Sequence, residues 1–396
     1  MTTARAEVVI TGGGTAGHVL PAIAVARALV AAGYEAGAIE FVGARRGMER
    51  RLVPEAGFSV TLLPGRGVVR HPSPRNVAAV AGIAAAFGVA LVRLGRRRPR
   101  VVVAVGGFGA VGCSLAAVVW RIPVVVVNVD SVPGAANRMI GRFAKACAVA
   151  FPGTALPRAV VTGAPVRPEV LAVDRTPGGR ARSRAALGIA GRGALVGIVG
   201  GSLGARRLNE AAIGLAGRLA VRGDAVVFHV CGARALEEVR SAAATAGLAG
   251  LAGLEYRVVP YEDRLADLFA AADLVVARAG ASTVAELSVI GTPSILVPLP
   301  GAPSDHQRSN AAFLVNAGGA LLVDDEAVTG ERLFAEVTAL LDAPARLEAM
   351  GRAARRVGRR DAAAAVASLI AEVATGNPVA HDTIAPMGRS PSEEGQ

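Results

Sequence analysis

Between Leu274 and Pro293 the chain reads LVVARAGASTVAELSVIGTP, which sets one guanidinium and one carboxylate around a run of small residues. Apolar residues lead into Arg278, Gly280 and Ala281 follow, and Thr283 is expected to open a helix ending near Gly291, giving strand, tight loop and helix in succession. Backbone N–H groups at a helix start are unpaired and partly positive, so such a mouth suits a phosphate, with Arg278 as an added fixed charge. Glu286, one turn beyond Thr283, could close a capping box or accept hydrogen bonds from ribose hydroxyls. A plain capped helix in an α/β sheet has the same pattern.

Two further glycine-rich turns repeat the theme. Val8 to Thr11 reads as a strand feeding TGGGTAGHVLPAIAVARAL, where Gly12, Gly13 and Gly14 give backbone access and Thr15 and His18 stand at the change from loop to helix. An anion is expected there, although the motif is neither GxGxxG nor a P-loop. LVGIVGGSLGARRLN, from Leu195, echoes it about 190 residues later, so the chain reads as two Rossmann-like domains with the site expected in the cleft between them. Strand ends at Gly106-Gly107-Phe108-Gly109 and at Asn128 and Asp130, with Ser131 and Asn137, supply more polar groups to a carboxyl edge. Asp305, Gln307 and Asn310 open a later helix, where amides and a carboxylate could hold sugar hydroxyls.

The remaining elements must position these groups. Strands are read at Ala38–Gly43, Val101–Val105, Val124–Val129, Val226–Cys231, Tyr256–Val259 and Leu274–Val276, with Ser294–Pro298 closing the second sheet. Met48–Ala56 and Ala343–Thr375 read as helices, and Arg175–Arg184 as a surface loop. Thr162 to Glu169 (TGAPVRPE) reads as an interdomain hinge. The expected division is residues 1–164 and 165–355, a helix over 356–374 packing back on the first domain, and a disordered tail over 375–396.

Composition narrows the classes. With 396 residues and 52% hydrophobic residues the chain can bury two cores, and three widely spaced cysteines (Cys113, Cys147, Cys231) indicate neither a disulfide framework nor a zinc site. A net charge of +12 invites a nucleic-acid reading, yet the basic residues are almost all arginine and aromatics are only 4%, too few for base-stacking platforms. No nucleic-acid partner and no metal or other cofactor is expected. Asn76–Val92 is an apolar, alanine-rich run followed by Arg93, Arg96, Arg97, Arg98 and Arg100. It falls short of the roughly 20 apolar residues that span a bilayer, and reads either as a buried helix with a solvated basic end or as an interfacial patch for anionic lipid.

TGGGTAGHVLPA, the GGFG loop, VPGAANR, TGAPVR, VGGSLGARRLN, ARAGASTVAEL and DHQRSNA, in this order over about residues 8 to 374, resemble the MurG family of peptidoglycan N-acetylglucosaminyltransferases. The resemblance implies an α/β, two-domain GT-B fold. It implies inverting transfer of GlcNAc from UDP-GlcNAc to undecaprenyl-linked muramyl-pentapeptide, without metal, by a peripheral protein on the cytoplasmic face of the cell membrane. By motif, it implies that Ser202 contacts the uracil region beside the backbone of Glu262, that Arg167 meets the nucleotide and Glu286 the ribose. Arg278 then faces the diphosphate, Gln307 and Asn310 read the sugar, and Thr15 and Gly17 join the donor set. Gly13, Gly14, Phe108, Asn128 and Asn137 fall on the acceptor side.

The chain departs from that family where a His-Glu-Gln-Asn run is usual, having Val127-Asn128-Val129-Asp130, and it has Phe108 where a tyrosine is common. The carboxylate has moved by two residues. Two other readings therefore stand beside lipid-intermediate transfer: a related enzyme using a UDP-sugar on another acceptor, and a non-catalytic nucleotide-sugar binding protein. For the proton acceptor the chain offers His18, whose ordinary pKa suits neutral pH, and Asp130, which would need burial to become a base. The compensating position favours Asp130 as base, with His18 on the donor phosphates or orienting its loop.

Overall fold

The computed structural model describes residues 7–45, 47–63, 74–190, 193–201, 205–223 and 225–377, with side chains omitted over 74–81 and at Phe108. Short Val-rich strands alternate with helices throughout, and strands such as VVVA at 101–104 are buried on both faces, as a parallel sheet covered by helices on either side requires. The first sheet contains β1 (Val8–Thr11), β2 (Ile39–Ala44), β3 (Ser59–Leu63), β4 (Val101–Ala104), β5 (Val124–Asn128), β6 (Ala146–Val149) and β7 (Ala159–Val161). Its helices are α1 (Ala16–Ala31), α2 (Glu49–Glu55), α3 (Pro74–Arg97), α4 (Phe108–Val119) and α5 (Ala135–Gly141). The second part opens with α6 (Pro168–Ala172) and α7 (Pro177–Ala186). Its sheet holds β8 (Ala194–Val199), β9 (Ala225–Val230), β10 (Leu254–Val259), β11 (Leu274–Ala277), β12 (Ser294–Leu296) and β13 (Ala320–Leu322). Among these strands run α8 (Arg206–Ala220), α9 (Leu236–Thr245), α10 (Leu265–Ala271), α11 (Ala281–Ile290) and α12 (His306–Asn316). After β13 come α13 (Gly330–Leu341), α14 (Pro344–Val357) and α15 (Ala362–Thr375).

Strand order is β3-β2-β1-β4-β5-β6-β7 in one sheet and β10-β9-β8-β11-β12-β13 in the other, all parallel. Each order reverses once, between β1 and β4 and between β8 and β11, which is where a doubly wound sheet opens a crevice beyond its carboxyl ends. Every glycine-rich turn singled out in the sequence follows one of these four strands. The chain divides into two compact units, one holding residues 7–19, 29–162 and 365–377, the other residues 20–28 and 163–364.

Several local expectations change. Arg175–Arg184 lies largely in a helix, because the Thr176 hydroxyl accepts from the N–H of Gly179 and Pro177 stands at the first helical position, a start signal hidden in an arginine-rich stretch. α3 runs on through Arg93, Arg96 and Arg97, so these arginines are its last turns and no separate segment follows Val92. β13 adds a strand after β12, and the predicted helix over Ala343–Thr375 is two helices, parted at Gly358, where a Cβ would press on the Ser288 carbonyl. α11 starts at Ala281 with Gly280 as its N-cap, two residues before Thr283. The predicted tail lies almost wholly outside the described residues.

Candidate active site

Each sheet carries one constellation at its switch point. In the first unit, the triple-glycine loop after β1 has positive φ at Gly12, Gly13 and Gly14, and its three N–H groups are all used internally. Gly12 donates to Val42 (3.2 Å), Gly13 to Gly106 (3.2 Å), and Gly14 to the Glu49 carboxylate (2.9 Å). The expected anion is thus already part of the protein, since Glu49 is buried with its other oxygen on the N–H of Ala44 (2.6 Å). Sequence reasoning passed over Glu49. The available signal was the set of glycines at 13, 43 and 47, which all face its carboxylate.

Beyond that loop, the Thr15 hydroxyl meets His18 Nδ1 at 3.1 Å on the first turn of α1. His18 and Asn137 flank Gly106: a Cβ there would stand 3.3 Å from the imidazole edge and 3.2 Å from Asn137 Oδ1, so the absent side chain leaves room for both. Asn137 Nδ2 donates to Asn128 Oδ1 (3.0 Å), and Asn128 Nδ2 donates to the Asp130 carbonyl (2.5 Å). The altered run after β5 is therefore built into a buried amide relay. Asn128, 2% exposed, uses both ends of its amide and presents neither outward, which corrects its expected role facing an acceptor. Asn137 Oδ1 is buried and lacks a protein hydrogen bond, leaving an acceptor beside Gly106. Asp130 is half-buried at the strand end, Gly17 is exposed on α1, and Phe108 contributes its backbone to the start of α4.

In the second unit the small residues after β11 lead directly into α11. Because α11 starts two residues earlier than expected, Glu286 sits about half a turn further along the helix and closes no capping box. Instead Arg167, at the N-cap of α6, grips it with Nε at 3.2 Å and Nη2 at 3.4 Å. Burial pushes the Glu286 carboxyl above its ordinary range, and the Arg167 guanidinium opposes that rise. Burial alone would lower the Arg167 pKa, but Glu286 beside it raises the balance. The pair is thus an ion pair held at 18% and 7% side-chain exposure. TGAPVRPE was predicted as a hinge, and its arginine is brought to the ribose candidate by tertiary folding across 119 residues.

Arg278 is placed differently from expectation. Its guanidinium is buried, paired with Asp325 (2.6 Å) and donating to the carbonyls of Val297 (3.3 Å) and Pro298 (3.1 Å). It fastens the ends of β11, β12 and the turn after β13 together, so its charge is neutralised by Asp325 and is not a free partner for a diphosphate. Gln307 Oε1 accepts from the N–H of Leu299 (3.0 Å), fixing the loop before α12, and buried Asn310 donates to Ala279 (3.3 Å) behind the small-residue turn. Glu262 turns back on the N–H of Arg264 (2.8 Å), and Ser202 lies outside the described residues. Behind that glycine loop, Asn209 of α8 links buried His229 (Nε2 to Oδ1, 3.0 Å) to the Cys231 carbonyl (3.1 Å), while His229 Nδ1 meets the Tyr256 hydroxyl (2.9 Å). Because the Asn209 amide nitrogen donates, its oxygen accepts, so neutral His229 carries its proton on Nε2 and accepts a hydrogen bond at Nδ1 from the Tyr256 hydroxyl. Among the described residues, no group of three or more His, Cys, Asp or Glu could hold a metal ion.

Comparison with known proteins covers both units. Residues 8–149 match the glycosyltransferase family 28 N-terminal domain and residues 195–366 its C-terminal domain. A protein of Mycobacterium tuberculosis named "UDP-N-acetylglucosamine--N-acetylmuramyl-(pentapeptide) pyrophosphoryl-undecaprenol N-acetylglucosamine transferase" is 42% identical over 378 residues, 93% of this chain and 90% of that one. A Desulforudis audaxviator protein of the same name is 37% identical over 373 residues, 93% of this chain and 98% of that one. Among solved structures, Acinetobacter baumannii MurG matches with a TM-score of 0.72 at 30% identity, covering 93% of this chain and 99% of that one. A UDP-GlcNAc 2-epimerase of Neisseria meningitidis shares the fold at a TM-score of 0.63 and 14% identity, over 93% of this chain and 100% of that one.

Proposed function

Since the chain belongs to glycosyltransferase family 28, among its MurG-type members, and transfers GlcNAc from UDP-GlcNAc to undecaprenyl-linked MurNAc-pentapeptide, we propose which of its groups carry that transfer. The observation that carries the assignment is the buried Arg167–Glu286 pair, with Glu286 on the second turn of α11 and Arg167 at the N-cap of α6. A buried carboxylate kept charged by a guanidinium is a strong acceptor for the two ribose hydroxyls, and the neighbouring helix start offers N–H groups to the diphosphate. With the Arg278 charge committed to Asp325, the growing charge on departing UDP is met by the α11 N-terminus. Gln307 and Asn310 hold the loops that read the sugar, and Thr15 and Gly17, at the start of α1, are assigned to the donor.

In this reading Asp130 is the general base. As the muramyl oxygen bonds to the anomeric carbon, its proton passes to the Asp130 carboxylate, and the anomeric carbon–oxygen bond to the diphosphate breaks with its electron pair leaving on UDP. Asn128 and Asn137 hold the backbone at Asp130, through the carbonyl that Asn128 grips. His18, fixed by Thr15, orients the α1 start.

The same enzyme is read as a peripheral protein on the cytoplasmic face of the membrane, in contact with anionic lipid. Among the described residues no helix is long and apolar enough to cross a bilayer. α3 and α4 leave Val89, Val92, Val118 and Val119 exposed, next to Arg96 and Arg97 in the last turn of α3 and to Arg98, whose guanidinium lies 4.2 Å over the Trp120 ring. Exposed apolar side chains on a helix that ends in arginines fit an anionic interface. Arg93 belongs to another role, since it is tied to buried Glu40 at 2.5 Å.

Release of UDP from UDP-GlcNAc, measured with and without undecaprenyl-diphospho-MurNAc-pentapeptide and in the presence of a chelator, tests the assignment. Acceptor-dependent release that survives chelation is expected. Release that requires a divalent ion, or none with this acceptor, would refute the assignment of these groups.

A further inference from the structure

The triple-glycine loop has the shape of an anion seat, and the occupant is a side chain of the same protein. Glu49 is 2% exposed, and both carboxylate oxygens accept backbone N–H groups, from Gly14 at 2.9 Å and from Ala44 at 2.6 Å. Three glycines make the space. A Cβ on Gly13 would fall 2.8 Å from the carboxylate, and one on Gly43 or Gly47 would collide with it. The other two N–H groups of the loop go to Val42 and Gly106, so Glu49 completes the internal satisfaction of the loop. Gly13 and Gly14 have φ of +131° and +94°, a shape that only glycine adopts without strain and that the Glu49 contact holds in place. Thr15 comes next in the chain, and His18 rests on Thr15 within the first turn of α1.

We propose that Glu49 is a positioning residue for the transfer: its carboxylate fills the seat formed by the glycine loop, and so sets the place of Thr15 and His18 without touching substrate. It follows that the Gly14 N–H is not an external phosphate site, and that a diphosphate approaching this edge must be met by the first turn of α1 instead. The inference rests on the reading that Thr15 and His18 serve the reaction.

The test is chemical rescue. Glu49→Ala leaves a void with two unpaired N–H groups, the right size and polarity for a small carboxylate. UDP binding, which depends on Glu286 and Arg167 in the other unit, reports that the variant is folded. The expected result is a loss of kcat/KM of about 10- to 100-fold, typical of a misplaced active-site loop. Acetate should restore much of that loss and raise the melting temperature of the variant but not of the native enzyme, whereas neutral acetamide should do neither. Should acetate raise the melting temperature without restoring turnover, the seat stands but its role in positioning is overturned. No effect of acetate on a variant that binds UDP, or near-native turnover without acetate, overturns the seat itself. If Glu49→Ala fails to bind UDP, Glu49→Gln decides: it keeps the volume but points an NH2 at one of the two N–H groups. Lowered kcat with unchanged UDP affinity supports the proposal, and native kinetics in Glu49→Gln refutes it.

Discussion

Replacing Arg167 with alanine strands the Glu286 carboxylate in a buried site, and its consequences can be worked through from the geometry. Native Glu286 is 7% exposed and held by two nitrogens at 3.2 and 3.4 Å. Removing one partner of a buried pair typically costs about 3–5 kcal/mol, and the 18% exposure of Arg167 sets the expectation at the lower end. Glu286 relieves that cost by taking up a proton. Burial already pushes its carboxyl upward with the guanidinium present, and removing the guanidinium takes away the charge that opposes that rise. Charge-assisted hydrogen bonds are roughly twice as strong as neutral ones, so two ribose hydroxyls lose about 1 kcal/mol each when the carboxylate is neutral. UDP affinity of Arg167→Ala should therefore fall about 30-fold at the acid end of a pH range over which Glu286 ionises, and recover towards its alkaline end as the carboxylate forms. Calorimetric titration of UDP across that pH range reads this directly. Weakened but pH-independent binding would mean that Arg167 touches the nucleotide itself, and unchanged binding would remove both residues from the site.

Three further outcomes follow from the same structure. Asp130→Asn should lower turnover by about 10²-fold or more with UDP-GlcNAc affinity nearly unchanged, and near-native turnover would move the base to His18. Burial depresses the His229 pKa to about 4, against an ordinary 6.5; the unfolded chain therefore takes up a proton that the folded one refuses, and stability present above pH 6.5 is lost as the pH falls towards 4. That contribution is about 3 kcal/mol, so urea unfolding of His229→Gln should show a shallower loss between pH 6.5 and 4, and an unchanged slope would exclude His229 as its source. Replacing Arg96, Arg97 and Arg98 with serine should weaken binding to vesicles containing anionic lipid, and salt should weaken the native protein in the same way, because screening at physiological ionic strength acts beyond about 8 Å. Equal sedimentation of both proteins with neutral and anionic vesicles would return α3 to a purely internal role.

How much of this was legible in the sequence depends on the range of the interaction. Val-rich runs and glycine turns are local signals, and they marked β1, β4, β8 and β11 and the loops at both switch points. The glutamate at 286 and the arginine at 167 were also found, but as separate contacts to a nucleotide, because nothing local announces that two residues 119 positions apart form one ion pair. Arg278 shows the opposite error. Its place before a small-residue turn suggested a free charge for a diphosphate, while the neutralising Asp325 lies beyond β13, a strand too short and too plain to be read from its sequence. Glu49 is the sharpest case. Three glycines signalled an anion, and that inference about charge was sound, but sequence cannot tell an external phosphate from an internal carboxylate, since both are recognised by the same N–H groups. A glycine-rich turn therefore specifies the chemistry of its occupant, and only the fold specifies whose atoms those are.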